Sequence, residues 1–417
     1  MKKLTVNTFF SGIGCQERGF EDSGVFDIDV LSTSDIAKES IVSYAAMHKG
    51  LTPELIDTYK NFPTPDEMAT HLEKIDLGYD PVKDIHYNWH RLATTESSIK
   101  LLKKYYLACV LSKNVGNISN VKSLPKADLW FCSFPCTDIS QAGQMKGLSK
   151  DSGTRSSLLW ENIRLLNEAI DRDEAPSYLM IENVKNLVSS KFIDNFKELL
   201  GILDGLGYNS YWAVLDGRTC GVPQSRARVF VVSILKTIDK KQFAFPKPFN
   251  CPYTIKDMLE PKNTIDKKYY LSAMVQNRFQ LTDKTFTKSI IGTTAPSFRT
   301  IGQRDVVFQQ DGIMGALVAT DYKQPKQILD VPMDAESYSR DKVKIRKITP
   351  KEAARFMGFT FDDCAKAQAM GVADGKLYEQ FGNGIITNCV KLIAQHLYKA
   401  QYDSSFVCED EIQNSGK

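Results

Sequence analysis

Short apolar runs, each stopped by glycine, proline or a polar cluster, alternate along this chain with longer stretches whose apolar positions recur at helical spacing. Residues 4–10 are rich in Val, Thr and Phe and predict a first strand. Gly12 and Gly14 follow, and residues 15–20 start a helix. Residues 25–34 predict a second strand ending at Asp35, and residues 36–48 a helix. Thr52-Pro53-Glu54 and Thr64-Pro65-Asp66-Glu67 each read as a helix start with proline at the first helical position. Ile99, Leu101, Leu102, Tyr105, Tyr106 and Val110 give residues 97–111 a helical stripe. Residues 50–110 thus form a mostly helical insertion, and residues 115–118 are expected to begin a return to the sheet.

The run Leu129-Trp130-Phe131-Cys132 stops before Pro135, as a buried strand of a parallel sheet does. Residues 157–170, 177–181, 192–206, 211–215 and 229–234 continue the alternation as helix, strand, helix, strand, strand. Strands alternating with helices predict an α/β chain. From Lys236 the pattern changes to Thr, Lys, Gln and Asp with short β-like pieces at 306–308 and 316–319, a second, smaller domain. Residues 340–347 hold five basic side chains and one acid, a candidate phosphate-contacting stretch. Thr349-Pro350-Lys351-Glu352 is a capping box, and a last helix is expected from residue 385 to about 398.

Composition narrows the class. Apolar residues at 42% and charged residues at 25% are ordinary for a globular chain. No run approaches the ~18 apolar residues of a membrane helix, and no signal peptide is evident. Nine cysteines without a Cys-x-x-Cys pair argue against a disulfide framework or a zinc site and fit a reducing cytosol. His86 and His90 read as a surface pair rather than metal ligands. A net charge of +3 makes no case for nucleic acid by itself.

The chemistry-bearing residues fall at strand ends. Cys136 lies just past the 129–132 run, on the edge where open α/β sheets bind ligands, and is a candidate nucleophile; a buried, inert cysteine is the alternative. Glu182 ends another strand on the same edge. The Gly12–Gly14 turn with Asp35 at the next strand's tip has the geometry that holds a nucleotide's ribose. The 141–157 loop, with Lys146, Lys150 and Arg155 against Asp151, is a candidate lid. Arg226 and Arg228, two apart, share one side of an extended segment and suit phosphate or carbonyl recognition.

Phe10-Ser11-Gly12-Ile13-Gly14, Phe134-Pro135-Cys136, Glu182-Asn183-Val184, Gln224-Ser225-Arg226-Ala227-Arg228, the block from Arg346 to Phe359 and Gly382-Asn383-Gly384 occur in that order. The set resembles the DNA (cytosine-5) methyltransferase family of bacterial and phage restriction-modification type, over about residues 4–48, 115–235 and 345–398. The resemblance implies a doubly wound sheet of the S-adenosylmethionine-dependent methyltransferases with a smaller target-recognition domain. The catalytic domain would span 1–240, target recognition 241–345, and 346–417 would return to the catalytic domain. It also implies methyl transfer to carbon 5 of a flipped cytosine in a specific duplex sequence. Cys136 would be the thiolate that adds to carbon 6, Glu182 the partner of N3 and the 4-amino group, and Arg228 the holder of O2, with Arg226 near the thiolate or the backbone. Phe10, Gly12, Gly14, Asp35, Ile36, Asn117, Ile118, Phe134, Pro135, Leu158, Asn383 and Ile385 would bind S-adenosylmethionine, with no metal.

Three departures stand out: Thr137 where Gln is frequent, Gly384 where Ser is, and Asn117 where an aspartate usually contacts adenine. Implied partners are double-stranded DNA and, where one exists, a separately acting restriction endonuclease. A monomer, no membrane and a cytoplasmic, nucleoid-associated location go with them. Three other readings compete: a tRNA cytosine methyltransferase on the same fold, a dinucleotide-dependent oxidoreductase served by the same glycine turn and Asp35, and a catalytically dead DNA-binding protein. The oxidoreductase leaves Cys136, Glu182 and the arginines unexplained, and Glu17 stands where its third glycine belongs.

Overall fold

The computed structural model describes residues 1–135, 158–276, 279–281, 290–293, 306–330, 344–406 and 408. Cys136, the 141–157 loop and Arg340 and Lys342 of the basic stretch lie outside them. The chain packs into two compact units: Met1–Leu215 with Ala227–Lys247 and Val390–Lys417, and Asp216–Arg226 with Pro248–Cys389.

The first unit runs β1 (Lys2–Phe9), α1 (Cys15–Asp22), β2 (Phe26–Ser34), α2 (Lys38–His48), α3 (Pro53–Thr58), α4 (Pro65–Lys74), α5 (Glu96–Ser112), β3 (Leu129–Cys132), α6 (Leu159–Asp171), β4 (Tyr178–Val184), α7 (Ile193–Gly205) and β5 (Tyr208–Asp216). The chain passes through β6 (Gln224–Ser225) of the second unit and returns as β7 (Ala227–Leu235). Six strands form one sheet in the order β2-β1-β3-β4-β7-β5. β2, β1, β3 and β4 run parallel, with Val6 level with Leu129 and Leu129 with Tyr178, whereas β7 runs antiparallel to β4. Burial on both faces explains the continuous apolar runs of β3 and β4. One core cluster joins Phe9, Trp130, Cys132 and Ile181 of the strands to Leu165, Leu166, Phe196 and Leu199 of α6 and α7. Phe9 and Trp130 meet edge to face at 5.1 Å.

The insertion is helical as expected. Thr52 caps α3, and Thr64 closes a capping box with Glu67 on α4. Residues 115–118, however, return to the sheet only at their start, where Val115 N donates to Thr33 O of β2 at 2.8 Å beside a parallel bridge between Asn114 and Thr33. Gly116 is left-handed, and the Asn117 side chain caps a short 3₁₀ turn over Ile118–Asn120, a local bond that competes with strand pairing.

The second unit holds α8 (Ala273–Gln276), β8 (Gln280–Leu281), β9 (Ile290–Thr293), β10 (Val306–Phe308), β11 (Met314–Gly315), β12 (Gln327–Leu329), β13 (Ile345–Lys347), α9 (Pro350–Phe356), α10 (Phe361–Ala369) and α11 (Asp374–Asn383). α12 (Thr387–Tyr402) leads from it into the first unit. Its five-stranded sheet has the order β13-β12-β10-β9-β8. Residues 316–319 are not a strand. Side chains take their backbone groups: Gln224 Oε1 accepts from Leu317 N at 2.9 Å, and Arg226 Nη1 donates to Leu317 O. The basic stretch also needs correcting at Arg346, which is fully buried and paired with Glu352 at 2.7 Å and Asp330 at 3.3 Å, so it is no phosphate contact. The expected capping box at Thr349 and Glu352 is present.

Candidate active site

Phe10 leaves β1 with φ +54°, a left-handed conformation that costs a bulky residue about 1–3 kcal/mol and collects at functional sites. The turn behind it is braced. Asp35, past the end of β2, accepts from Gly12 N at 2.8 Å and from Ala37 N at 2.7 Å. Burial pushes its carboxyl up, against the pull of those bonds. A carboxylate has about four acceptor directions, so the brace does not exhaust it. Gly14, at φ +77°, begins α1; a Cβ there would lie 2.5 Å from His48 Nε2 and 2.8 Å from the Tyr44 ring. The close approach of α2 therefore demands glycine. Beneath the turn Glu17 is buried near His48, Tyr44 and Thr8, and burial pushes its carboxyl up despite the imidazole.

An apolar wall stands beside this turn. Ile118 and Phe134 belong to the sheet's core cluster, and half-buried Phe10 and Leu158 pack against it. Ile36 and Pro135 are half-buried. A glycine cradle beside an apolar wall at the carboxyl edge of a parallel sheet fits an adenosine-bearing group.

β4 carries Glu182, buried, and the antiparallel register sets Glu182 opposite Phe230 and Val184 opposite Arg228. Arg228 Nε lies 3.2 Å from Glu182 Oε1, and its Nη1 donates to Ala227 O at 2.9 Å. Next to Glu182, the Asn183 amide donates to Phe134 O at 3.0 Å, and its own oxygen accepts from Val184 N at 2.9 Å. Asn183 thereby fixes the chain two residues before Cys136. Gln16 Nε2 donates to Ser133 Oγ at 2.8 Å on the same segment.

Arg226 does not share a side with Arg228. It belongs to the second unit, is buried, and donates to three carbonyls: Leu317 O, Gly384 O and, at 3.0 Å, Gly382 O. β6 ends at Ser225 and β7 starts at Ala227, so no continuous extended strand aligns the two arginines. Asn383, between the two clamped glycines, is exposed, and Ile385 is buried.

Residues 89–399 match the family model for C-5 cytosine-specific DNA methylases, most of the chain. The chain belongs to that family. This methylase is 32% identical to the type II methyltransferase M2.ScrFI of Lactococcus lactis subsp. cremoris, over 95% of the chain and 100% of the relative. It is 29% identical to the orphan methyltransferase M.SssI of Spiroplasma monobiae, over 87% of the chain and 88% of the relative. In fold it is similar to the Entamoeba histolytica methyltransferase EhMeth, with a TM-score of 0.57 at 16% identity, covering 96% of this chain and 99% of that one. The methylase is a DNA (cytosine-5) methyltransferase on a mixed α/β sheet, as the ordered motifs implied, and the family depends on S-adenosylmethionine.

Among the described residues no group of His, Cys, Asp and Glu could hold a metal, and no helix is long and apolar enough to cross a membrane. His86 pairs with Asp76 at 3.1 Å, and His90 with Asp66 at 2.7 Å. Two members of the site escaped sequence reasoning. Asn183 sits inside a family motif that assigns it no role. Glu17 looks like a surface acid of an amphipathic helix, and only its spacing from Gly14 sets it apart.

Proposed function

We propose that this methyltransferase adds to carbon 6 of a flipped cytosine through Cys136 and uses Glu182 and Arg228 on the base's polar edge. The Glu182–Arg228 pair, on strands of the sheet whose β3 ends four residues before Cys136, is the observation that carries this reading. Carbon 5 of cytosine is a poor nucleophile; thiolate addition at carbon 6 makes it enamine-like and splits one hard step into easier ones. Charge builds on the ring as sulfur adds, and Glu182 answers it by sharing a proton at N3 while accepting from the 4-amino group. Arg228, oriented by Glu182 and by Ala227 O, donates to O2. Asn183, through Phe134 O, holds the chain two residues before Cys136. Once carbon 5 carries the methyl group, removal of its proton and expulsion of sulfur restore the aromatic ring. A target stacked in a duplex is out of reach of these groups, so the base leaves the helix.

S-Adenosyl-L-methionine supplies the methyl group. Phe10, Gly12, Gly14, Asp35 and Ile36 would hold it from the first two strands, with Ile118, Phe134, Pro135 and Leu158 forming the apolar side and Asn117 next to Ile118. Asn383 and Ile385 complete the proposed set, and Arg226 holds their turn. We assign target reading in the major groove to residues 241–345. Double-stranded DNA acted on by a monomer in the bacterial cytoplasm, at the nucleoid, completes the reading, with any restriction endonuclease acting separately. The test is transfer of labelled methyl to duplex DNA and tRNA side by side, with bisulfite sequencing of DNA from a host expressing the chain. Sequence-specific 5-methylcytosine in DNA is expected; methylated tRNA and unmodified DNA would overturn it.

A further inference from the structure

The insertion has no role in the chemistry above, yet one turn of it is bonded to both loops proposed to hold the cofactor. Ile75–Gly78 follows α4. Gly78 N donates to Ile36 O at 2.7 Å, and Asn117 N donates to Ile75 O at 3.0 Å. A Cβ on Gly116 would fall on the Ile75 carbonyl, so the approach is possible only because that residue is glycine. The turn is anchored from behind by the fully buried Trp89, whose Nε1 donates to Leu77 O at 2.8 Å. At its tip stands Asp76, left-handed at φ +54°. Its Oδ2 accepts from Asn117 Nδ2 at 3.1 Å and from Asn120 Nδ2 at 2.6 Å, and its Oδ1 lies 3.1 Å from His86 Nδ1. Asn117 is committed at its other end too, where Oδ1 accepts from Ser119 N at 3.1 Å.

We infer that Asp76 is a positioning residue for the cofactor loop and that Asp76 and Asn117 form a matched carboxylate–amide pair. The inference rests on reading the 116–118 loop as a wall of the cofactor site. It gives a physical reason for the amide at 117. An aspartate there would set two carboxylates about 3 Å apart, which disfavours ionising both. Asn117 instead donates to the acid that the insertion brings. The left-handed Asp76, the glycine at 116 and the amide at 117 thus serve one arrangement, which welds the insertion to both cofactor loops.

The test measures S-adenosylmethionine and S-adenosylhomocysteine affinity, with kcat, KM and DNA affinity, on the full chain. Asp76→Ala should weaken both cofactor affinities roughly ten- to hundredfold, the range of a lost hydrogen bond to a charged group. kcat at saturating cofactor and DNA affinity should stay near wild type. Asn117→Asp alone should weaken cofactor binding comparably. The isosteric exchange D76N/N117D should restore it to within about threefold, a rescue that a purely structural defect would not show. Wild-type cofactor affinity in D76A, or a double exchange no better than N117D, would overturn the pairing. A wild-type chain that binds no cofactor would overturn the proposed site and the pairing with it.

Discussion

Arg226 and Arg228 stand two positions apart and do different work. Arg228 is the second residue of β7, whose antiparallel register against β4 brings its Nε to a side-chain carboxylate, Glu182. Arg226 follows the short β6 segment in the other unit and spends its guanidinium on the backbone carbonyls of Leu317, Gly382 and Gly384. The first arrangement is the polar edge proposed to meet the base. The second consumes a charge to hold the turn that carries Asn383. Equal spacing and identical residue type say nothing of this; the acceptor chemistry around each guanidinium decides it.

The comparison can be broken most severely on the catalytic side. Glu182→Gln keeps the shape and a hydrogen-bonding amide but loses the transferable proton. The single-turnover methylation rate should fall by roughly 10²–10⁴-fold, the cost of lost acid–base help, with the melting temperature little changed. A near-normal rate with a lowered melting temperature would make Glu182 a strand brace and no more.

Substituting the arginines separates the two roles. Arg226→Ala strips the donor from three carbonyls, two of them buried and that of Gly384 half-buried, and should destabilise the fold by about 3 kcal/mol in denaturant titration. Arg228→Ala should lower the methylation rate while costing less stability, because the half-buried Arg228 bonds one carboxylate and the neighbouring carbonyl rather than three distant carbonyls. A stability loss larger at 228 than at 226 would reverse the assignment.

A smaller effect sharpens the contrast between Glu17 and Glu182, the acid proposed for catalysis. Burial raises the Glu17 carboxyl above its unfolded value. Between those two values the folded chain keeps a proton that the unfolded chain has released, so stability is full at low pH and falls as pH rises through that window. The fall is at most about 1.4 kcal/mol per pH unit. Glu17→Gln cannot ionise and should flatten that part of the stability–pH curve, measured by urea titration from the ordinary carboxylate range upward. An unchanged slope would mean that Glu17 keeps its unfolded affinity for protons.

Local signals are legible in the sequence: proline and threonine at the starts of α3, α4 and α9, the two-sided apolar runs of β3 and β4, the glycine turn after β1. Each depends on neighbours within a few residues. What stays hidden depends on distant partners. Arg346 sits in a basic stretch, and nothing local announces that Asp330 and Glu352 bury it. The antiparallel turn of β7 and the bond from Asn183 to Phe134 O join segments about fifty residues apart. Residues 115–118 look strand-like by apolar pattern, but pairing with β2 stops at Val115, and the bond from Ser119 N to the Asn117 side chain turns the chain away.

The covalent step is tested most directly with duplex DNA carrying 5-fluorocytosine at the target, identified beforehand by bisulfite sequencing. Fluorine cannot leave as a proton does, so turnover halts with sulfur still bonded to carbon 6. With S-adenosylmethionine present, the wild-type chain should form a protein–DNA adduct that survives a denaturing gel, and peptide mass analysis should place it on Cys136. Cys136→Ala should give no adduct and no methylation while still binding DNA. A wild-type enzyme that methylates ordinary DNA yet forms no adduct, or an adduct on another cysteine, would contradict it.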